Sequence, residues 1–297
     1  MPRIQDNRTM SMTMNVKRVC VVGIGVMGSG IAQVCAQSGY ETSVVSRSAE
    51  SLERGLGKIK DSLSRLVKKG HLKREDADAV MNSIHSSTSL EDCAKDADIV
   101  IEAVYEDMEV KRGVFTELDQ ICPAHTIIGS NTSTFPITAL GAVTKRPEKV
   151  IGMHFMNPVP VMRGVEVAKS LMTSEDTVEK TLTFLRSLGK EPVIVKDSPG
   201  FITSRMMCLI LNEAVKMYES GLASIEDIDK VLKLSFNWPQ GPFQLLDLIG
   251  IDIVVAVLNT IYNETGWERF KPAVLMTQMV NAGWTGRKVG RGFYNYK

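Results

Sequence analysis

The feature that most constrains this chain is a glycine-rich turn between a short apolar strand and a helix near its start. Strand-forming residues at 19–22 run directly into Gly23-Ile24-Gly25-Val26-Met27-Gly28, and a helix-compatible segment follows. In this context Gly23 permits a tight turn, Gly25 lets the backbone approach a pyrophosphate, and Gly28 lets the helix pack on the sheet. Val26 and Met27 belong to this cofactor-binding loop, and the N-terminus of the helix that follows presents N–H groups to the phosphates. A dinucleotide-binding domain is expected, and a glycine turn without a ligand is the alternative.

The pattern beyond this turn predicts an α/β fold with a Rossmann-type, doubly wound and mostly parallel sheet. Strands are predicted at 19–22, 42–45, 99–101, 126–129, 150–153 and 192–195, and helices at 31–37, 49–69, 108–121 and 176–188. After Pro199 and Gly200 only helical periodicity continues, at 205–219, 225–234, 251–265 and 273–282. We therefore expect a loose N-terminal extension at 1–16, a dinucleotide-binding domain at 17–196 and an all-α domain at 197–297.

Composition excludes several classes of protein. The 35 Lys and Arg nearly balance the 34 Asp and Glu, so general nucleic-acid binding is disfavoured. No apolar run approaches the roughly 20 residues of a membrane helix, so no membrane association is expected. The five cysteines form no CxxC pair, which argues against a disulfide framework and against a metal site and favours a reducing, cytoplasmic location.

The residues that end the second predicted strand bear on the choice of cofactor. The adenosine ribose of NAD normally meets a carboxylate there, whereas this sequence has Ser46-Arg47-Ser48. No carboxylate repels a 2′-phosphate, the serine hydroxyls can donate hydrogen bonds to one, and Arg47 can pair with it. We expect NADP(H) to be favoured; if Arg47 is only a solvated surface charge, the cofactor is NAD(H).

Ordered motifs extend over nearly the whole chain, from Lys17 to Lys297. They are Ser130-Asn131-Thr132-Ser133, Gly152-Met153-His154-Phe155-Met156-Asn157-Pro158, Gly164-Val165-Glu166-Val167, Asp197-Ser198-Pro199-Gly200-Phe201 and the closing segment 286–294. With these motifs the chain resembles the 3-hydroxyacyl-CoA dehydrogenase family, and most of all its short-chain 3-hydroxybutyryl-CoA members. The resemblance implies reversible hydride transfer between a nicotinamide cofactor and C3 of a short 3-hydroxyacyl-CoA, as in fatty acid and butanoate metabolism. Reduction of acetoacetyl-CoA is the favoured direction.

The resemblance also implies a homodimer that forms through the helical domain. The predicted helical stretches around 206–217 and 245–258 carry more apolar residues than a domain of this size can hide within itself. Both considerations predict that these helices meet a second copy of the chain.

His154 is the candidate general acid–base. Taking a hydride from a hydroxyl-bearing carbon requires loss of the hydroxyl proton, which an imidazole that titrates near neutrality can accept and return. His154 ends a predicted strand, at the edge where the ligand clefts of open α/β sheets form. Glu166, on the next predicted strand, can fix the imidazole tautomer and stabilise its cation. Judged from the residues alone, His154 can equally be a core histidine; the resemblance identifies the two as the family's His–Glu pair.

The resemblance assigns roles to further residues. It implies that Ser133 donates to the C3 oxygen of the substrate, although Ser133 can instead cap a helix that begins near Pro136. Ser204 stands where most of the family has an asparagine, and Gln240 where it has a methionine, so the reach of Ser204 and the size of the acyl pocket are open. The other implied residues are Ser62 and Lys69 at the CoA nucleotide, Glu106 and Lys111 near the cofactor, and Asn131 and Asn157 at the nicotinamide or the substrate. Lys69 lies at the end of the helix predicted at 49–69, where a lysine can also simply stabilise the negative end of the helix dipole.

Two other functions fit part of the pattern. A free 3-hydroxy-acid dehydrogenase has a similar glycine loop and a helical second domain, but relies on a catalytic lysine in that domain. A non-catalytic dinucleotide-binding protein would keep the fold for binding alone. It would be expected to lose His154 or Glu166, and both are present.

Overall fold

An eight-stranded sheet, counted within residues 16–296, organises the first part of the protein. The computed structural model describes residues 16–296, so nearly all of the extension expected at 1–16 lies outside the described residues. The strand order is β3-β2-β1-β4-β5-β6-β7-β8. The strands are β1 (Arg18–Val22), β2 (Glu41–Val45), β3 (Ile84–Ser87), β4 (Ile99–Glu102), β5 (Ile127–Ser130), β6 (Val150–Phe155), β7 (Gly164–Lys169) and β8 (Glu191–Lys196).

The pairing between strands confirms the α/β fold class. The strands from β3 through β6 pair in parallel, because helical crossovers connect them. Pairing changes to antiparallel between β6 and β7, which are joined by the short segment 156–163. A parallel return needs about a dozen or more residues, so this short connection leaves only the antiparallel arrangement. All six predicted strands are present, and β3, whose polar sequence is Ile-His-Ser-Ser, has no apolar signal that would have predicted it.

Among the described residues, seven α-helices accompany the strands. They are α1 (Val26–Gln37), α2 (Ala49–Lys68), α3 (Arg74–Asn82), α4 (Leu90–Ala94), α5 (Met108–Ile121), α6 (Ile137–Gly141) and α7 (Glu175–Ser187). Polar residues begin four of them, because the side chains of Ser48, Ser89, Asp107 and Ser174 each accept a hydrogen bond from an N–H of the first turn. Apolar residues of the strands and of α1 form the core, among them Val21, Ile31, Ile101 and Phe155.

The later part of the chain is helical, as predicted. Its helices are α8 (Thr203–Glu219), α9 (Ile225–Phe236), α10 (Pro242–Ile249), α11 (Ile251–Thr265) and α12 (Val274–Asn281). The apolar stretch predicted at 245–258 divides at Gly250, whose φ of 109° ends α10. The two helices on either side are bent by 93°. Between residues 16 and 296 no single helix is both long and apolar enough to cross a membrane.

The chain divides into two compact units. The first comprises the described residues up to Asn131 together with Leu140–Ile194, and the second comprises Thr132–Ala139 and Val195–Lys297. The short segment 132–139 therefore groups with the helical unit, although it lies in the middle of the sequence predicted to form the dinucleotide-binding domain. Asp197 holds this segment, because its carboxylate accepts hydrogen bonds from the N–H groups of Ile137 at 2.9 Å and Thr138 at 2.7 Å.

Candidate active site

The glycine loop has the geometry that a dinucleotide pyrophosphate requires. Gly23 has a φ of +96°, and a Cβ on it would lie 2.6 Å from the carbonyl oxygen of Ala103. A Cβ on Gly28 would lie 1.8 Å from the carbonyl oxygen of Gly23, so only glycine lets α1 start this close to β1. At Gly25 a Cβ would meet nothing within 4 Å, and no side chain caps the N-terminus of α1. The uncapped backbone N–H groups at the start of α1 and the open space beside Gly25 fit the phosphates of a nicotinamide dinucleotide.

The end of β2 presents the three residues expected at the adenosine ribose. Ser46 is half-buried and donates its backbone N–H to Ser87. Arg47 is exposed and takes part in no ion pair among residues 16–296. Ser48 has a structural role, because its hydroxyl oxygen caps α2 by accepting from the N–H of Ser51 at 3.3 Å. Ser48 is thus the one residue of this trio whose side chain caps α2.

The expected cofactor residues Glu106 and Lys111 belong to a buried ionic cluster. The Nζ of Lys111 lies 2.7 Å from an oxygen of Glu102 and 3.0 Å from an oxygen of Glu106. Burial alone lowers the pKa of Lys111, but the charges of Glu102 and Glu106 outweigh it and hold that pKa above its ordinary value. The side chain of Glu106 is 36% exposed and that of Lys111 only 1%, so Glu106 is the member that reaches the surface.

The candidate catalytic pair is formed by strand register. His154 on β6 and Glu166 on β7 are directly opposite in the antiparallel ladder. Residues opposite each other in such a ladder have side chains on the same face of the sheet. The Nδ1 of His154 lies 2.8 Å from a carboxylate oxygen of Glu166, and both residues are buried. Because a carboxylate can only accept, Nδ1 carries the proton in this hydrogen bond, which fixes the imidazole tautomer.

Asn131 connects this pair to the neighbouring strand. Its side-chain oxygen accepts a hydrogen bond from the backbone N–H of Phe155 at 2.9 Å, immediately after His154. Its own N–H donates to the carbonyl oxygen of Glu102 at 2.8 Å. Asn131 therefore fixes the carboxyl end of β6 relative to β4.

Two expected catalytic serines lie in the second unit. Ser133 follows Thr132, whose hydroxyl oxygen accepts hydrogen bonds from the N–H groups of Thr134 and Phe135 and so makes a tight turn. Ser204 lies in the first turn of α8, where the neighbouring Arg205 donates a hydrogen bond to Ser198 at 2.7 Å. Both serines thus lie in polar turns that side-chain hydrogen bonds hold in place.

A cleft of about 200 Å³ lies in the first unit between α1, α2 and the segment after β6. Ser62 and Asn157 line it, as do the cations of Lys58 and Arg65. The spacing of 58, 62 and 65 places these three residues on one face of α2. Lys69 does not line the cleft; it is exposed and follows the last residue of α2. Sequence reasoning missed Lys58 and Arg65, although their spacing relative to Ser62 was a usable signal.

Comparison with known proteins identifies the family. Residues 18–198 match the family described as 3-hydroxyacyl-CoA dehydrogenase, NAD binding domain, and residues 200–296 match its C-terminal domain. The chain belongs to the 3-hydroxyacyl-CoA dehydrogenase family. It is therefore an oxidoreductase that acts on a CHOH group with a nicotinamide cofactor, as the glycine loop and the His–Glu pair predict.

Individual relatives cover nearly the whole chain. A probable 3-hydroxybutyryl-CoA dehydrogenase of Bacillus subtilis is 44% identical over 96% of this chain and 99% of its own length. The human mitochondrial hydroxyacyl-coenzyme A dehydrogenase is 39% identical over 95% of this chain and 92% of its own. The crystal structure of (S)-3-hydroxybutyryl-CoA dehydrogenase from Ralstonia eutropha is 43% identical, with a TM-score of 0.90 over 95% of this chain and 99% of that one. These matches show the family across both units.

Replacing His154 with Gln tests the catalytic pair. Glutamine nearly preserves volume but cannot accept and release a proton near neutral pH, so turnover should fall roughly 10²–10⁴-fold. Cofactor affinity should change little, because His154 is not part of the glycine loop. Steady-state kinetics and cofactor titration provide the two measurements. A loss of turnover below about tenfold would exclude His154 as the acid–base.

Replacing Glu166 with Gln tests the partner in the same assay. The amide keeps a hydrogen bond to Nδ1 but removes the charge that stabilises the imidazolium. We expect a lower kcat and, in the reduction direction, a pH profile of kcat/KM whose alkaline limb moves to lower pH, because the imidazolium that must donate the proton is then less stable. A profile that superimposes on that of the wild type would remove Glu166 from the mechanism.

Proposed function

We propose that this chain is a 3-hydroxybutyryl-CoA dehydrogenase that acts mainly as an acetoacetyl-CoA reductase. The observation that carries this proposal is the buried hydrogen bond of 2.8 Å between His154 and Glu166, at the end of β6 in a dinucleotide-binding unit. The names of relatives at 38–44% identity, which act on 3-hydroxybutyryl-CoA, support the short acyl chain. A nicotinamide cofactor would supply or accept the hydride.

In the proposed mechanism His154 handles the proton. With Nδ1 directed at Glu166, the imidazole uses Nε2 to give a proton to the C3 oxygen during reduction and to remove it during oxidation. The carboxylate of Glu166 stabilises the imidazolium state that this exchange requires. Ser133 would donate a hydrogen bond to the same oxygen as its negative charge develops. Asn131 orients the segment on which His154 lies, and the family resemblance assigns Asn157 and Ser204 to the substrate as well.

The cleft on α2 suits the nucleotide part of coenzyme A. Lys58 and Arg65 supply two positive charges, and Ser62 between them supplies a hydroxyl donor. This is a donor set for phosphate. The whole chain has a net charge of only +1, so attraction of a polyanionic thioester has to come from such a local cluster. Lys69 follows the last residue of α2, outside the cleft, and would contribute through its charge alone.

Comparing acyl carriers tests the substrate class. The enzyme should reduce acetoacetyl-CoA with a far higher kcat/KM than free acetoacetate, and Lys58→Gln with Arg65→Gln should raise the KM for acetoacetyl-CoA about tenfold. The same variant should keep its KM for acetoacetyl-pantetheine, which lacks the nucleotide. Lys60→Gln, an exposed lysine of α2 that does not line the cleft, is the matched control. Equal kcat/KM for the free acid would favour a free hydroxy-acid dehydrogenase, and cofactor binding without any turnover would favour a binding protein.

NADP(H) is the proposed preferred cofactor. The end of β2 has no carboxylate that would exclude a 2′-phosphate, and the exposed Arg47 has no ion-pair partner among the described residues. A charge-assisted hydrogen bond contributes about 1.5–3 kcal/mol, but solvent and salt screen an exposed arginine. A preference of about tenfold over NAD(H) follows, rather than strict specificity.

Exchange of two residues tests this preference. Ser46→Asp with Arg47→Ile restores a carboxylate and removes the cation, so the ratio of kcat/KM for NADPH to that for NADH should swing toward NADH. Arg54→Ile is the control. Arg54 is exposed like Arg47, but it lies on α2 and donates a hydrogen bond to the hydroxyl of Ser51. A wild-type enzyme with the higher kcat/KM for NADH would mean that Arg47 is only a surface charge.

A homodimer through the helical unit is the proposed assembly. Apolar side chains on α9 are unusually exposed, with Val231 at 55%, Leu234 at 77% and Phe236 at 62%. Met206 on α8 and Leu248 on α10 add to the exposed apolar surface. Surfaces of this kind mark protein contacts when they are contiguous, and the helical unit is the one expected to supply the dimer contact.

The five cysteines are all free and buried, which supports a reducing, cytoplasmic location.

Sedimentation at micromolar concentration tests the assembly. The wild type should sediment at twice the monomer mass of 32.7 kDa. Leu234→Glu should shift it toward the monomer, because a charge in an apolar contact must be desolvated without a partner. Leu171→Glu alters a residue that is 92% exposed in the first unit, and it should leave the dimer intact. A wild type that is monomeric throughout this range would contradict the proposal.

A further inference from the structure

Glu102 is a fully buried carboxylate on which several donors converge. It is the last residue of β4, with an exposed fraction of 0%. One carboxylate oxygen accepts hydrogen bonds from the N–H of Val104 at 2.8 Å and from Lys111 at 2.7 Å. The other accepts from the hydroxyl of Ser130 at 2.6 Å. A buried charge without such partners is strongly unfavourable, so these contacts define one cooperative unit.

The three donors, Val104, Lys111 and Ser130, each lie in a segment that contains an expected cofactor residue. Val104 begins the turn that leads to Glu106, and this turn packs against the glycine loop through Ala103 and Gly23. Lys111 on α5 forms its second ion pair with Glu106. Ser130 precedes Asn131, which holds the backbone next to His154. Glu102 itself is enclosed, so any effect it has on a ligand must pass through these neighbours.

The charges of Glu102, Lys111 and Glu106 determine how much negative charge Glu106 presents at the surface. Glu102 and Glu106 carry two negative charges against the single positive charge of Lys111, so the cluster has a net charge of −1. Because Glu102 is enclosed and pairs closely with Lys111, the remaining negative charge is expressed at Glu106, which is the exposed member. Without the charge of Glu102, Lys111 would be paired with Glu106 alone, and the carboxylate of Glu106 would be a weaker acceptor for a ligand hydroxyl.

We propose that Glu102 is a positioning residue for the nicotinamide cofactor, acting through Lys111 on Glu106 and through Ser130 on Asn131. It sets the acceptor strength of Glu106 and fixes the turn that faces the glycine loop. This role depends on the nicotinamide cofactor of the family and is independent of the acyl group.

Glu102→Gln tests this role, because it removes the charge with little change of shape. The new amide oxygen can still accept from Val104 and Lys111, and the amide nitrogen can donate to Ser130. The Kd for NADPH and for NADH, measured by calorimetry without acyl-CoA, should rise about tenfold, which corresponds to a weakened charge-assisted hydrogen bond. Because no acyl-CoA is present, the result is separate from that of the substrate assay.

Asp119→Asn is the matched control. Asp119 is also a buried carboxylate, on the same helix α5, where it pairs with Arg146 at 2.8 Å and accepts the N–H of Lys145 at 2.9 Å. It contacts no expected cofactor residue, so its substitution should lower the melting temperature and leave both Kd values within about twofold of the wild type. A Glu102→Gln protein with the Kd of the wild type, or an equal loss of affinity in both variants, would overturn the proposal.

Ser130→Ala provides a second variant that keeps the proposal testable if Glu102→Gln does not fold. It removes one donor and leaves the ion pairs of Lys111 intact, so the Kd for the cofactor should rise less than in Glu102→Gln, by about threefold. An unchanged Kd in Ser130→Ala, with the protein folded, would overturn the role of Glu102.

Discussion

Carboxylates that accept two consecutive backbone N–H groups are the interaction on which the packing of this protein depends. Asp98 accepts from residues 17 and 18, and Asp197 from residues 137 and 138. In the helical unit Asp229 accepts from residues 243 and 244, and Asp247 from residues 293 and 294. Each contact joins segments that are distant in sequence and satisfies backbone donors that would otherwise be buried without partners. Removing one such carboxylate would therefore leave two N–H groups unpaired at once.

The candidate active site uses the same type of group for a different purpose. Glu166 and Glu102 are buried like Asp229 and Asp247, but side chains that carry or exchange protons are among their donors. An N–H of the backbone never changes its charge, whereas the imidazole of His154 does. The carboxylate opposite His154 therefore acts on the free-energy difference between two protonation states as well as on folding. The antiparallel register of β6 and β7 makes this possible, because it places the two residues directly opposite each other on neighbouring strands.

The features that could be predicted from the sequence are those that short-range sequence patterns determine. The glycine loop, six strands and the pairing of His154 with Glu166 depend on local spacing and on one strand register. The role of Glu102 could not be predicted, because two of the three donors to its carboxylate, Lys111 and Ser130, come from segments that meet it only in the folded protein. The helix predicted at 251–265 coincides with α11, but α10 was not predicted as a separate helix, since helical periodicity carries no information about the φ of 109° at Gly250 that divides the two. The position of residues 132–139 in the second unit likewise depends on a contact with Asp197, 59 residues further along than Thr138.

Helix α2 relates the two anion-binding regions proposed for this enzyme. Its N-cap, Ser48, directly follows Arg47, and its later turns carry Lys58 and Arg65. Gly55 lets α2 lie against the glycine loop, because a Cβ there would be 2.5 Å from the side chain of Ile24. At about 1.5 Å per residue, the cap and Lys58 are separated by roughly 15 Å, which exceeds the Debye length of about 8 Å at physiological salt. Helix α2 thus keeps Arg47, just before its N-cap, at a fixed separation from Lys58 and Arg65, while salt screens the charge of Arg47 from theirs. A change of cofactor preference at the end of β2 therefore need not alter the affinity for coenzyme A.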